Sequence, residues 1–509
     1  MEVKEQNTEE RKAFLKKQSR KIMIQRIKGF IAEYSHNKLG VFGALIFVFF
    51  VFLATFGPYI APADPMQDMD LADQVVPPEW VTVFGGEYVK LPPTLTWHIV
   101  DEIKSRKNAS CTVDNFIAVK DMDDGILFMF KNGVQIEDYG SIYIVKTFSY
   151  DYRPPRTFKI FMTGQSDGDF EVALEIFLKK PSGSEILLWS SRELMPGFSS
   201  LLKRGSKISI ETRDFRYLEW FASRLGIFPG QFIIPFNSLN ESGTYEMTFR
   251  FRLYGLKALA SSGRDLNLKL KNIQLKILGL KYGLLGTDFW GRDIFSQIAN
   301  ATWVSLTVGV IAALLSSLIS SILGIIAVYK GGVVDEVLMR IADIIMIIPN
   351  LPLLLIMMAV LKGDIWTVIT ILAVIRAPSG ARSTRAFVLT YINSPFVEAA
   401  KAKGASTTRL IFRYLFPPLL PIIYANIAYS APAAITLEAE LSYLGIATDP
   451  YRITWGKMLS LAQSGGAFTK WAWWWVIPPG LCIVFLSLAF VLIGHALDEI
   501  MNPRLKRRR

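Results

Sequence analysis

The chain has 509 residues, of which 51% are hydrophobic and only 20% charged, and its net charge is +12. This composition is too apolar for a typical soluble protein of this size and predicts that much of the surface lies in lipid. The basic residues are dispersed beside apolar runs and lack interleaved aromatic side chains, which argues against a nucleic-acid-binding protein.

The first apolar run covers residues 39–61 and follows a basic arm, residues 1–38. No charge occurs from Leu39 to Ile60, and at roughly 1.5 Å per residue this run can cross a hydrocarbon core of roughly 30 Å. The basic arm is too long for a signal peptide, and no clear small-x-small cleavage site follows the run. We therefore interpret it as an uncleaved signal anchor.

An outward-facing insertion, residues 64–280, follows the first span and has a more polar and aromatic composition. Alternating runs at 157–162, 171–178, 245–253 and 266–278 predict half-buried β-strands, with turn signals between them. We expect a β-rich, sandwich-like domain. Its role stays open between an accessory or assembly domain and a contact for a ligand or binding protein, since a fold does not define a function.

Five further apolar spans are predicted near 303–328, 341–361, 365–385, 419–441 and 476–497, which gives six transmembrane helices in total. Asp343, Arg376, Glu438 and Glu440 lie within these spans. A charge in hydrocarbon costs several kcal/mol unless it faces a partner or water. Arg376, Glu438 and Glu440 are therefore candidates for a translocation path. The alternative is that Arg376 snorkels inward and both glutamates lie at the outer end of their span.

Lysine and arginine occur mainly in the terminal arm, in the tail at 498–509 and in every second connection between spans. The residues in these connections are Lys330, Arg340, Arg382, Arg385, Lys401, Lys403, Arg409 and Arg413. Because basic flanks are retained on the cytoplasmic side, this pattern predicts a multi-pass protein of the cytoplasmic membrane with both termini inside.

The loop at 388–418 is the most informative connection. Glu398-Ala399-Ala400, Gly404 and Pro417 predict a short helix, a glycine turn and a second short helix that stops at Pro417 and the proline after it. Small alanine side chains allow a helix to approach a partner closely, so the loop suits a knob that docks into another protein. An ordinary polar helix-turn between spans is the alternative.

Catalytic and metal-binding patterns are absent from the sequence. No P-loop or G-x-S-x-G motif occurs. Cys111 and Cys482 are far apart, and the three histidines are scattered, so neither a disulfide nor a zinc site is expected. We predict a chain that is not an enzyme, without catalytic or metal residues and without a cofactor of its own.

The loop also resembles the EAA motif of ABC-transporter permeases, which is Glu-Ala-Ala, three residues, Gly, nine residues, Ile, one residue, Leu-Pro. The matching residues are Glu398, Ala399, Ala400, Gly404 and Pro417. Tyr414 and Phe416 replace the Ile and Leu of the motif. In that family the loop is the coupling helix, which sits in a cleft of the ATP-binding subunit.

A second block, residues 285–296, resembles the GTDxxGRDxxS signature that precedes the second span in the C-type permease of oligopeptide and dipeptide ABC transporters. The matching residues are Gly286, Thr287, Asp288, Gly291, Arg292 and Asp293, with Ser296 after them. The block predicts a glycine-containing turn before a helix start, in which Asp288, Arg292 and Asp293 can pair. An ordinary polar surface turn is the alternative.

The resemblance covers about 39–65 and 284–503 but not the insertion, and Val491 and His495 depart from the family pattern. It implies a type I ABC importer permease, with a permease core at 284–497. The implied partners are a second homologous permease, two ATPase subunits that bind ATP and magnesium, and an extracytoplasmic solute-binding protein. The implied substrates are short peptides, oligosaccharides or metal complexes. Competing functions are a membrane-anchored sensor and a membrane-bound carbohydrate-processing protein, neither of which needs a coupling loop.

Overall fold

The computed structural model describes residues 28–29, 31–131, 133–225, 239–361, 364–446 and 452–501. Most of the basic arm and the basic tail, on which the orientation prediction partly rests, lie outside this range. The chain divides into two compact units. We call Met1–Gln67 with Ile294–Arg509 the membrane unit, and Asp68–Asp293 the insertion unit. The insertion unit therefore continues beyond residue 280, where the sequence predicted its end.

The first helix, α1, spans Lys38–Ile60 and matches the first predicted span. Asn37 caps it, because its side-chain oxygen accepts a hydrogen bond from the backbone N–H of Gly40 at 2.9 Å. The Asn37 amide also donates to the Glu499 carboxylate at 2.6 Å, which ties the start of α1 to the far end of the chain.

The insertion unit consists mainly of β-strands with short helices between them. Two 3₁₀ helices, Glu79–Phe84 and Gly86–Tyr88, precede the first strand. The strands are β1 Leu95–His98, β2 Ala109–Val113, β3 Ile117–Met122, β4 Gly125–Phe130, β5 Tyr139–Tyr150, β6 Phe158–Asp167, β7 Glu171–Lys179, β8 Glu185–Ser190, β9 Lys207–Glu211, β10 Gly243–Tyr254 and β11 Asn267–Ile277. The helices are α2 Ile99–Lys104, α3 Ser191–Leu194, α4 Phe198–Lys203, α5 Phe215–Leu225 and α6 Leu256–Ser261.

These strands form two antiparallel sheets. One has the order β3-β4-β11-β6-β9 with β1 also paired to β11, and the other has the order β2-β5-β10-β7-β8. The four strands predicted from alternation are confirmed as β6, β7, β10 and β11.

Both sheets contribute to a single hydrophobic core, as expected for a β-sandwich. Strand β10 illustrates how a strand contributes one of its faces to this core. Every second side chain in it is fully buried, while the side chains between them are partly exposed. Its buried residues are Tyr245, Met247, Phe249, Phe251 and Leu253.

The membrane unit continues with helices from Ile294 onward. They are α7 Ile294–Lys330, α8 Gly332–Ile347, α9 Asn350–Leu361, α10 Ile365–Tyr391, α11 Pro395–Ala402, α12 Thr407–Arg409, a π-helical turn Leu410–Leu415, α13 Phe416–Tyr443, α14 Trp455–Ser464 and α15 Trp473–Met501. Helices α7 and α10 approach closely through small residues: Ser320 Oγ donates to the Ala377 carbonyl at 2.8 Å, and Gly380 lies against Ser320.

Within the described residues, four helices are long and apolar enough to cross a membrane: Lys38–Ile60, Ile294–Lys330, Thr407–Tyr443 and Trp473–Ile500. The pair α8 and α9 satisfies the same test together but is bent by 94°. Helix α10 contains Arg376, Arg382 and Arg385 and is not among the four. The prediction of six spans is thus only partly matched by the described helices.

The predicted third span, 341–361, is divided between the two helices α8 and α9 and is not one straight helix. Ile348 adopts an extended conformation with ψ 127° between α8 and α9. The cause is Pro349, because the residue before a proline is driven out of the helical region. The bend therefore lies at the position where the sequence places a proline.

Candidate functional site

The EAA loop folds as a small helical hairpin with its own core. Helix α11 begins with Pro395 at its first turn and ends where Ala405 N–H donates to the Ala400 carbonyl at 3.1 Å. Gly404 lies at this helix end with φ +72°, and a Cβ placed there would meet no atom within 4 Å. Glycine is therefore required for the backbone conformation and not for space.

The two alanines of the motif have different environments. Ala400 is 4% exposed and packs with Val397, Leu410 and Leu415 inside the hairpin. Ala399 and Glu398 are exposed on the opposite side of α11. Of these three residues, Glu398 and Ala399 are available to a partner, while Ala400 holds the hairpin together.

The aromatic replacements in the motif pack within this chain. Tyr414 joins the hairpin core, and Phe416 packs against a second cluster formed by Ile325, Val388 and Leu419. The departures from the family motif are therefore accommodated by internal contacts.

The predicted helix stop at Pro417 and Pro418 is wrong, because both prolines lie in the first turn of α13. The two prolines lack an N–H to donate, but they follow a π-helical turn and do not end the helix. The preceding π-helical turn, Leu410–Leu415, leads directly into α13, so the hairpin continues into a membrane-spanning helix.

Sequence reasoning missed two exposed aromatic side chains on the hairpin. Phe396 is 43% exposed at the start of α11, and Phe412 is 67% exposed in the π-helical turn. Large apolar side chains on an otherwise basic loop are a signal for a protein contact. Together with Ala399 they define what we call the hairpin apolar face.

Charged side chains link α8 to α10 in the membrane unit. Arg385 donates to both carboxylate oxygens of Asp335 at 2.6 Å, and Arg382 pairs with Asp343. Asp343 therefore has an arginine partner within the same chain, which removes most of the cost of its place in an apolar run. The sequence shows opposite charges on neighbouring spans but not which of them pair.

No ion pair joins the three path candidates within the described residues. Arg376 is half-buried in α10, and its Nε has no hydrogen-bond partner among the described residues. Glu438 is 1% exposed and accepts a hydrogen bond from Ser442 Oγ at 2.8 Å, with Ser305 and Thr454 also near its carboxyl group. Glu440 is half-buried in the same helix, α13.

The GTDxxGRDxxS block forms a buried turn at residues 286–293 of the insertion unit, so the interpretation as an ordinary polar surface turn does not hold. Asp288 is fully buried, and its carboxylate accepts hydrogen bonds from the Arg292 side chain at 2.8 Å and from the Arg292 N–H at 3.0 Å. Thr287 donates to the Asp73 carbonyl at 2.7 Å. Asp293 is 1% exposed, and its backbone pairs with that of Thr287 in an isolated antiparallel β-bridge.

Gly286 and Gly291 give this turn its path, with φ +73° and +70°. A Cβ on Gly291 would lie 2.4 Å from the Ala72 carbonyl oxygen, so the turn depends on close backbone approach. Burial raises the pKa of the neighbouring Asp73 carboxyl, which Arg213 opposes by its positive charge. The turn therefore has a structural role, because it holds residues 70–76 against residues 287–291 through backbone hydrogen bonds.

Comparison with known proteins gives two family matches. Residues 316–507 match the model of the binding-protein-dependent transport system inner membrane component. Residues 27–78 match the N-terminal TM domain of oligopeptide transport permease C. The N-terminal match ends at residue 78, within the start of the insertion unit, and the other match begins after that unit.

Individual relatives give the same result. The dipeptide transport system permease protein DppC of Haemophilus influenzae is 38% identical over 224 residues, which cover 44% of this chain and 75% of the relative. The oligopeptide transport system permease protein OppC of Bacillus subtilis is 35% identical over 223 residues, covering 44% and 72%. An inward-facing structure of the MetNI methionine ABC transporter covers 40% of this chain and 94% of its own, with 18% identity and a TM-score of 0.33, too low to support an argument.

Proposed function

Because the chain belongs to the family of inner membrane components of binding-protein-dependent transport systems, we propose that it is the permease subunit of an ATP-driven importer of short peptides. It forms half of the translocation path, and a second, homologous permease forms the other half. An extracytoplasmic solute-binding protein delivers the substrate. ATP and magnesium are bound by two partner ATPase subunits and not by this chain.

The hairpin at residues 395–415 is the observation that supports this proposal most directly. Its internal core of Val397, Ala400, Leu410 and Leu415 makes it rigid, while Glu398 and the hairpin apolar face point away from that core. A rigid knob continuous with α13 transmits a partner's movement into the membrane, because a packed hairpin moves as one body. A sensor or an anchored carbohydrate-processing protein has no need of such an element.

The topology of the proposal has six spans, with α8 and α9 as one broken span and both termini in the cytoplasm. The hairpin then faces the cytoplasm, where the ATPase subunits are. Arg376, Glu438 and Glu440 remain candidates for the path. The half-buried Arg376, whose Nε lacks a partner in the described residues, is the strongest of them.

The substrate class rests on the relatives, whose names specify dipeptide and oligopeptide transport. Short peptides carry both charges of a zwitterion, and a charged side chain in a span is suited to contact one of them. The oligosaccharide alternative has no support among these relatives.

The proposal is tested by measuring whether the hairpin couples this chain to the ATPase subunits. The tagged chain is purified with its partners from native membranes, and ATP hydrolysis is measured with and without peptide-loaded binding protein. Glu398→Lys and Ala399→Trp are expected to abolish retention of the ATPase subunits or stimulation of their hydrolysis. Glu185→Lys, which reverses an exposed charge in the insertion unit, is the control and is expected to behave as wild type.

Full stimulation and uptake in both hairpin variants, at wild-type expression, would show that the hairpin is only a connector. ATP hydrolysis by the purified chain alone, free of other subunits, would contradict the assignment of nucleotide binding to partners.

A further inference from the structure

An open cavity of about 530 Å³ lies in the insertion unit, at the junction of β1, α2 and β5. This volume falls within the usual range of small-molecule sites. The residues that matter are Trp97, His98, Asp101, Glu102, Asn108 and Lys146. None of them belongs to the permease family match, and none is part of the hairpin or of the signature turn.

Lys146, which lines this cavity, is a charged residue at a buried position. Along β5 the inward positions are occupied by Ile142, Ile144, Phe148 and Tyr150, and Lys146 takes the inward position between them at 1% exposure. A charged amine in a sandwich core costs free energy unless it is paired. Glu102 from α2 pairs with it, so a buried donor and a partly exposed acceptor lie together among the residues that line the cavity.

An aromatic wall stands beside this ion pair. The Trp97 ring packs on Phe148 with ring centroids 4.9 Å apart, and Phe148 stacks on Tyr245 at 5.9 Å. The Lys146 ammonium lies 5.5 Å from the centre of the Trp97 ring. These contacts fix the orientation of Trp97, whose side chain is only half-buried. The Trp97 ring therefore lies beside a fixed pair of charges.

We propose that this cavity is a binding site for a neutral carbohydrate. A sugar ring has an apolar C–H face, which suits the Trp97 ring, and hydroxyl groups that both donate and accept, which suits the Lys146–Glu102 pair. His98, Asp101 and Asn108 at the rim supply further hydrogen-bonding groups. The site is independent of the transport assignment.

The charge distribution selects a neutral ligand over an ionic one. An anion would meet the carboxylates of Glu102 and Asp101, and a cation would meet the ammonium groups of Lys146 and Lys107. A polyol avoids both repulsions, because it offers a hydroxyl to each group without adding an unpaired charge.

The test uses the full chain in lipid nanodiscs. Cellotetraose, maltotetraose, xylotetraose and mannotetraose are screened by saturation-transfer NMR, and binding sugars are titrated by calorimetry, with trialanine as the peptide comparison. At least one tetrasaccharide is expected to bind. Trp97→Ala and Glu102→Gln are expected to weaken it by at least about tenfold. Trp80→Ala, which removes an exposed tryptophan outside the cavity, is the matched control and leaves binding unchanged.

Two further variants keep the test decisive if Trp97→Ala fails to fold. His98→Ala and Asp101→Asn change exposed rim groups and are expected to weaken sugar binding several-fold. No binding by any tetrasaccharide at millimolar concentration overturns the proposal. Sugar binding that survives all four cavity variants, or binding of trialanine alone, also overturns it. Because ATP hydrolysis is not measured, these outcomes do not bear on the permease assignment.

Discussion

Replacing Gly291 by alanine tests whether the signature glycine is required for space. Both Gly291 and Gly197 have positive φ, +70° and +89°. A Cβ on Gly197 would meet nothing within 4 Å, whereas on Gly291 it would lie 2.4 Å from the Ala72 carbonyl oxygen. Gly197→Ala is therefore the matched control. Both variants introduce a backbone strain of about 1–2 kcal/mol, and only Gly291→Ala adds a clash.

The extra cost follows from the contacts around Ala72. Ordinary van der Waals contact begins near 3.4 Å, so the segment before Ala72 must move by about 1 Å. Two hydrogen bonds join this segment to the turn: Leu71 N–H to the Gly291 carbonyl at 2.9 Å, and Asp70 N–H to the Trp290 carbonyl at 3.1 Å. A shift of about 1 Å breaks both, at about 0.5–1.5 kcal/mol each. Gly291→Ala is thus expected to cost about 1–3 kcal/mol more than its control.

The assay is thermal unfolding of the full chain in detergent, followed by intrinsic fluorescence. The chain has two units and need not unfold in one step, so the transition shifted by Gly197→Ala identifies the insertion unit. For a unit of this size, Gly291→Ala is expected to lower that transition by roughly 2–12 °C more than the control. Equal shifts in the two variants would refute the argument that the signature glycine is required for close packing.

Three further predictions concern the membrane unit and its orientation. Ala400→Leu is expected to overfill the hairpin core and lower thermal stability by about 1–3 kcal/mol, whereas Ala399→Leu leaves stability unchanged, and equal melting temperatures would contradict this division. Asp335→Ala and Arg385→Ala are expected to show a coupling of about 1 kcal/mol in a double-mutant cycle read by thermal unfolding, and strict additivity would exclude a working ion pair. In a background without native cysteines, a membrane-impermeant thiol reagent added outside is expected to label Ser182→Cys but not Ser406→Cys, and outside labelling at 406 would reverse the orientation. Native Cys111 is a poor probe, because burial raises the pKa of its thiol to about 11 and little thiolate exists at neutral pH.

The sequence predicted helices and strands well where one hydrophobic pattern, an apolar run or a strict alternation, determines the structure. Apolar runs gave α1 and most of α7, α13 and α15, and alternation gave strands β6, β7, β10 and β11. Pro349 marks the bend between α8 and α9 in the sequence, whereas apolarity alone does not distinguish a straight span from a broken one.

The site residues show the same limit. The spacing of Glu398, Ala400 and Gly404 predicted a helix and a turn, and both are present. The sequence could not show that Ala400 faces inward while Ala399 faces outward, since the hairpin core includes Leu410 and Leu415 from beyond the turn. Which face of a short helix is covered depends on the element that folds back onto it.

Lys146 and Glu438 extend this argument to buried charges. The cost of a charge in an apolar span drew attention to Glu438, and the same reasoning applies to a lysine in the apolar alternation of β5. Both side chains proved to be buried, at 1% exposure. The sequence does not show which residues contact these two side chains. Glu102, which pairs with Lys146, is 44 positions away from it, and Ser305, which lies near the Glu438 carboxyl group, belongs to another helix. A charge at an inward position is therefore visible in a sequence, but whether it forms a binding site depends on what the fold brings beside it.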